Sequence, residues 1–169
     1  ARAAESLEKM RKAYDSIRLK WFRSFHHKKE ALAQKAAQMD DFTFDFQTSF
    51  DYVLRFVLKQ PQATVQSVGD EIVNFKRVDV VEVRNAAKDL IRFFVDRETR
   101  LPFKMQVRRT GKSSVREEIF NNWHEFQGVK TPLFVSHSRD GVKYMEIHTD
   151  SVDYNPRFSD SLFAPVVPK

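Results

Sequence analysis

The chain has 169 residues, of which 41% are hydrophobic and 31% are charged, so it can bury a core and is not wholly disordered. It contains no cysteine, which excludes disulfides, thiolate metal sites and cysteine nucleophiles. The net charge is +6, but residues 1–40 hold ten basic and five acidic residues, so residues 41–169 are nearly neutral, which argues against a uniformly basic nucleic-acid binder.

The first 60 residues contain neither glycine nor proline, which predicts a helical part over residues 1–60. Near its start, apolar residues recur at spacings of three and four, as they do on one face of a helix. These residues are Leu7, Met10, Tyr14, Ile17 and Trp21. The stripe weakens over residues 25–29, where we expect a break. No apolar run of about 18 residues occurs, which predicts no transmembrane span, and no signal-peptide pattern opens the chain.

A further helix is predicted just before Pro61. Asp40 and Asp41 suggest that the preceding helical region stops there, and Thr48 or Ser49 is a suitable N-cap for the next helix. The residues of this helix that are predicted to face inward are Phe50, Val53, Leu54, Val57 and Leu58. We expect the helix to end at Pro61 because proline cannot continue it.

From residue 63 the hydrophobic period changes to two, which predicts strands separated by short turns. The predicted strands are 64–73, 77–84, 90–95, 103–109, 115–126, 132–138 and 142–154. Every link is too short for a helical crossover, so neighbouring strands should pair antiparallel as a meander. The apolar alternation slips by one residue near Asp150 and Ser151, which predicts a β-bulge and hence a bent sheet.

The predicted fold class is therefore α+β: a curved antiparallel β-meander, forming an unclosed or partial barrel, packed against N-terminal helices. We expect one domain over residues 1–169, composed of a helical part (1–60), the sheet (61–163) and a tail (164–169). The chain contains 16 phenylalanines, which either fill the core between helices and sheet or in part line an apolar cavity.

Few residues carry recognisable catalytic chemistry. The four glycines are isolated turn residues, no nucleophile elbow occurs, and Glu117 and Glu118 are adjacent on a strand and so point to opposite faces. His124, His137 and His148 lie on successive predicted strands and could hold zinc only if they converged on one face. We therefore predict a protein that is not an enzyme and that has no metal site and no cofactor.

Two turns of the sheet and one segment of the tail resemble those of outer-membrane lipoprotein-sorting proteins, the Lol carrier-like family of LolA and LolB type. Residues 96–102 match the pattern D-x-x-T-x-L-P, residues 126–132 match x-x-G-V-x-x-P, and residues 160–163 match D-x-L-F. The resemblance extends to the strand pair 68–73 and 78–83 and covers mainly residues 63–163. Where this family has several strands after its opening helix, the present chain has only about 25 residues with a helical pattern. An open sheet edge would then need a cover, for example a second subunit.

The resemblance implies a non-catalytic domain of the bacterial cell envelope, in the periplasm, with lipid or lipoprotein acyl chains as partners. Such chains would bind in an apolar concave face of the sheet. The residues predicted to line that face are Val81, Val83, Ile91, Phe93, Phe103, Met105, Val107, Phe134, Met145 and Ile147. The alternative is a structural or interaction module of a larger envelope protein, possessing an envelope protein partner but no ligand cavity.

Overall fold

The computed structural model describes residues 4, 5, 7–9, 11, 36–154, 156 and 159. Residues 4, 5, 7–9 and 11 are helical, and Leu7 is buried in the main core. The rest of the predicted N-terminal stripe, the break expected over residues 25–29 and the D-x-L-F tail lie outside the described residues. The following helices are α1 (Ala36–Gln47) and α2 (Phe50–Arg55), and a 3₁₀ turn covers Val57–Lys59.

Helix α1 continues through Asp40 and Asp41, so the stop predicted at these residues is wrong. Their carboxylates are balanced from outside the helix, because Arg109 places its guanidinium 2.8 Å from Asp40 and 3.7 Å from Asp41. The Thr43 hydroxyl donates to the carbonyl of Met39 one turn earlier (2.6 Å), so it does not compete with the helix.

Of the two residues predicted as the N-cap of helix α2, Thr48 and Ser49, the structure has Ser49 in this position. This residue has the extended backbone of an N-cap, and its hydroxyl accepts a hydrogen bond from the Tyr52 N–H (3.4 Å). The predicted inward residues Phe50, Val53, Leu54 and Val57 are buried, and Leu58 packs partly buried against them.

Seven strands form one antiparallel sheet whose spatial order equals the chain order. They are β1 (Thr64–Val73), β2 (Lys76–Arg84), β3 (Leu90–Asp96), β4 (Pro102–Arg108), β5 (Val115–Phe126), β6 (Val129–Arg139) and β7 (Val142–His148). The sheet is unclosed, with β1 and β7 at its two edges. The predicted α+β fold with an antiparallel meander is confirmed.

The bulge predicted near Asp150 and Ser151 is wrong, because β7 already ends at His148. The Thr149 N–H still reaches the carbonyl of Leu133 (2.8 Å), and the chain then leaves the sheet. The register shifts lie elsewhere and leave one extra residue each: Val68 in β1, Phe103 in β4 and Tyr144 in β7. Bulges of this kind bend and twist a sheet.

Tight turns connect several neighbouring strands. Residues 74–75, 127–128 and 140–141 have positive φ at both positions, as the two-residue turns that suit hairpin twist require. The D-x-x-T turn is held by Asp96, whose carboxylate accepts the backbone N–H groups of Glu98 (2.8 Å) and Thr99 (3.1 Å). The sequence therefore locates the turns correctly.

The two faces of the sheet differ. Helix α2 packs on one of them, called here the helix face, where Phe50 places its ring 4.9 Å from that of Phe120 and 6.2 Å from that of Phe93. The opposite face carries a smaller cluster of Val78, Val80 and Phe94. Strand β3 contributes to both clusters, as its apolar residues on both sides predict.

Candidate functional site

Six of the ten residues predicted to line an apolar site lie together on the helix face: Val81, Val83, Ile91, Phe93, Met105 and Val107. None is more than 2% exposed. Phe50, Val53 and Leu54 of α2 belong to the same buried cluster. In the described structure this part of the face is therefore a filled core under α2, and it would be accessible to a ligand only if α2 moved away.

Met145 and Ile147 also lie on the helix face, but at the free edge. In the register of β6 and β7 they stand opposite His137 and Val135, and both are more than 40% exposed. Val142 shares this face and is 70% exposed, and the ring of Tyr144 lies 6.2 Å from that of His137. We call Val142, Tyr144, Met145 and Ile147 the edge strip; it is an exposed apolar surface at the free edge of the helix face.

Two residues do not lie where the sequence placed them. Phe134 alternates with Val135, which packs on the core, so Phe134 faces the opposite side and stacks edge-on against His148 (4.8 Å). Phe103 is the extra residue of the β4 bulge and belongs to neither apolar cluster; the Nζ of Lys76 lies 5.8 Å from its ring. A single bulge was enough to change its position.

The three strand histidines do not converge. His137 lies beside Glu118, His148 stacks on Phe134 across the opposite face, and His124 hydrogen-bonds with Asn122 (3.0 Å). Within the part of the chain that the structure describes, no group of three or more candidate ligands could hold a metal ion.

A buried polar cluster joins α1 to the sheet, and sequence reasoning missed it. We call Asp45, Thr48, Arg116, Glu118 and His137 the Arg116 cluster. The Arg116 guanidinium donates to the Thr48 carbonyl (2.7 Å), to the Thr48 hydroxyl (2.8 Å) and to the Asp45 carbonyl (3.1 Å). It thus neutralises carbonyls at the C-terminal end of α1, where a cation is favourable.

Glu118 lies on the sheet side of this cluster. Its Oε1 atom is 3.3 Å from Arg116 Nη1 and 3.8 Å from His137 Nδ1. Glu117 points to the opposite face, as its position next to Glu118 on the strand predicts. There it accepts a hydrogen bond from the Gln106 side chain (2.8 Å). The signal that could have revealed the cluster is the alternation of β5, in which Arg116 and Glu118 share the face of buried Phe120.

Burial is the largest cause of the shifted pKa values of Glu118 and His137 in this cluster. It raises the pKa of Glu118 to about 7, against the opposing attraction of Arg116, and nearby Asp45 adds to the rise. Burial and the charge of Arg116 together lower the pKa of His137. The raised carboxyl pKa means that the folded protein holds a proton on Glu118 that the unfolded chain releases near pH 4.5.

We expect the variant Glu118→Gln to gain stability relative to the natural chain as the pH rises. Between pH 4.5 and about 7 the folded carboxyl binds more proton than the unfolded one, so its contribution to stability falls with rising pH. The difference in unfolding free energy should grow by about 3 kcal/mol across this window. Urea denaturation of both proteins at several pH values measures it, and a pH-independent difference would contradict the raised pKa.

Next to the Arg116 cluster lies a cavity of about 150 Å³ between α1 and the turn after β4. Arg109 and Arg139 line it, and both are paired: Arg109 with Asp40 (2.8 Å) and Arg139 with Asp45 (3.0 Å). Its volume is below the roughly 300 Å³ at which small-molecule sites begin. This cavity is therefore too small and too polar to be the predicted acyl-chain site.

Comparison with known proteins gives no close relative. No protein-family model matches the chain, and no curated protein matches it. Among solved structures, a domain assigned to outer membrane lipoprotein sorting from Vibrio parahaemolyticus is similar with a TM-score of 0.49 and 14% identity. The matched region covers 60% of this chain and 46% of that one.

A LolA superfamily protein from Nitrosomonas europaea is similar with a TM-score of 0.42 and 11% identity over 63% of this chain and 50% of that one. The chain thus spans about half the length of the solved structures it matches. In the described part of the chain, no helix is long and apolar enough to cross a membrane.

Proposed function

We propose that this chain is a non-catalytic carrier-like domain of the bacterial cell envelope, located in the periplasm, that binds lipid or lipoprotein acyl chains. The observation that carries the proposal is the edge strip. Its four apolar side chains are each more than 40% exposed, and Ile147 stands opposite Val135, which packs on the core of the helix face. The resemblance of the turn motifs to lipoprotein-sorting proteins supports the same class of ligand.

The driving force for such binding would be apolar burial. Each methylene group that moves from water onto the strip contributes about 0.8 kcal/mol. A chain seated on Ile147 would lie next to Val135, which packs on the core under α2, whereas Met145 stands opposite His137 of the Arg116 cluster. Displacement of α2 would extend the site over Phe93 and Met105, two of the lining residues predicted from the sequence.

We further propose that residues 1–169 act as one domain.

We expect the variants Met145→Glu and Ile147→Glu to weaken uptake of a fluorescent fatty acid at least about tenfold, because each places a charge where the chain would lie. Ile72→Glu is the matched control, since Ile72 is an exposed isoleucine on the other edge strand. Fluorescence titration measures the affinities. Native mass spectrometry with lipid extraction of the natural protein identifies any acyl species that co-purifies.

Two results would contradict the carrier proposal: a natural protein that purifies without lipid and takes up no fatty acid, or equal losses in the Ile72 and Ile147 variants. The second candidate function would then stand, namely a structural or interaction module of a larger envelope protein. The observation that favours it is the burial of six of the ten predicted lining residues beneath α2.

A further inference from the structure

Strand β7 is an apolar sheet edge that no described strand covers. It is last in the strand order, every one of its residues is exposed, and Val142 is 70% exposed. A free edge presents unpaired N–H and C=O groups and so tends to pair with another strand. Of the usual protections of a sheet edge, β7 has only the Tyr144 bulge: residues 142–148 contain no proline, and their one lysine is balanced by one glutamate.

The side chains of β7 are complementary to themselves when two copies run antiparallel. With Tyr144 opposite Met145 of a second copy, Lys143 stands opposite Glu146, and Val142 stands opposite Ile147. Each of these pairs occurs twice because the arrangement has twofold symmetry. Opposite charges and apolar pairs facing each other across antiparallel strands stabilise a sheet.

The faces of the sheet also agree in this register. Partners in antiparallel strands must share a face, and Val142 and Ile147 both lie on the helix face, opposite Arg139 and Val135 of β6. Lys143 and Glu146 both lie on the other face, opposite Ser138 and Ser136. Within one chain they form an ion pair (2.6 Å), and in the dimer each of them would also face the opposite charge of the second copy. Without the Tyr144 bulge, Val142 and Ile147 would point to opposite faces of the sheet, and so would Lys143 and Glu146. The bulge therefore makes this register possible.

The other edge strand does not offer such a match. Strand β1 contains Asp70 and Glu71 and no basic residue, so two copies paired along β1 would bring like charges together. Pairing β1 of one copy with β7 of the next would be heterologous and would propagate into a chain of copies instead of closing. The charges therefore favour pairing of β7 with itself.

We propose that β7 pairs with β7 of a second copy of this chain in a twofold-symmetric dimer, with Lys143 facing Glu146 across the interface. The two edge strips would then adjoin and form one apolar band across the symmetry axis. The contact involves few residues, so we expect a weak dimer with a micromolar dissociation constant. The inference does not depend on acyl-chain binding.

Reversing the charge of Lys143 or Glu146 tests the proposed dimer. Sedimentation equilibrium of the lipid-free chain from micromolar to millimolar concentration should reveal a monomer–dimer equilibrium. Lys143→Glu and Glu146→Lys should each weaken the dimer at least about tenfold, because each replaces two attractive pairs by two repulsive ones. An equimolar mixture of the two variants should dimerise again, since every facing pair then has opposite charge. Lys130→Glu is the control, because Lys130 belongs to an exposed pair with Glu125 (2.9 Å) on β5 and β6.

A cross-link tests the register itself. The natural chain has no cysteine, so the double variant Val142→Cys with Ile147→Cys should form a covalent dimer on mild oxidation. The pair Val142→Cys with Met145→Cys, which is out of register, should cross-link less. A natural chain that stays monomeric at millimolar concentration, a dimer that Lys143→Glu leaves unchanged, or growth into larger species would overturn the proposal. A fatty-acid titration of Lys143→Glu tests the proposed function separately.

Discussion

Replacing Arg116 by methionine is expected to lower the free energy of unfolding by about 3–5 kcal/mol. The variant removes three hydrogen bonds to Thr48 and Asp45 at the end of α1 and leaves Glu118 buried beside no cation. The large expected effect comes from the acceptors of Thr48 and Asp45 that are left without a donor and from the loss of the positive charge beside Glu118. Chemical denaturation at pH 7.5 or so measures the loss.

Arg139→Met is the matched control for this experiment. Arg139 also pairs with Asp45 but is 45% exposed, so its removal should cost at most about 1 kcal/mol. The loss in Arg116→Met should shrink at acidic pH, where Glu118 is protonated in the folded state. Similar losses in the two arginine variants would mean that the Arg116 cluster does not hold α1 to the sheet.

Replacing Phe50 by alanine is expected to destabilise the fold by about 3–5 kcal/mol as well. Phe50 is 7% exposed and packs its ring against those of Phe93, Phe120 and Trp123 at centroid distances of 6.2, 4.9 and 5.9 Å. The variant opens a cavity where α2 contacts the sheet. Thermal and urea denaturation followed by far-UV circular dichroism measure the change.

Phe75→Ala is the control for Phe50→Ala, because Phe75 is fully exposed in the turn between β1 and β2. We expect its effect on stability to stay within about 0.5 kcal/mol. A small effect at Phe50 would mean that α2 contributes little to stability. In that case displacement of α2 would be easy, and the six buried residues predicted to line the apolar face would become accessible to a ligand.

The strands were predictable because their determinants are local. Period-two alternation bounded by turn residues predicted β1 and β5 with the bounds that the structure has, and one of the two predicted N-caps, Ser49, precedes the first residue of α2. The extent of α1 was not predictable, because the cation that balances Asp40 and Asp41 is Arg109, far along the chain. The face of Phe134 was not predictable, because Leu133, Phe134 and Val135 are consecutive apolar residues and alternation does not say which of them face the core.

The candidate site was only partly predictable, for a different reason. Charged residues on a strand are usually solvent-exposed, so Arg116 and Glu118 gave no sign of burial. Their burial depends on α1 carbonyls that lie about 70 positions away in the chain. Likewise, alternation identified Met145 and Ile147 as apolar-face residues, but whether a helix covers a given stretch of that face is decided by tertiary packing.

The strands lie in the sheet in the same order as in the chain, and this order affects how the sheet forms. Each strand bonds only to its neighbour in the chain, through turns as short as residues 74–75 and 140–141. Joining such hairpins closes only small loops, which keeps the entropic cost of each pairing low. The sheet has a low contact order for a β structure, so we expect it to assemble quickly and by successive addition of hairpins. The slow, long-range step is the docking of α1 and α2, which brings Thr48 to Arg116.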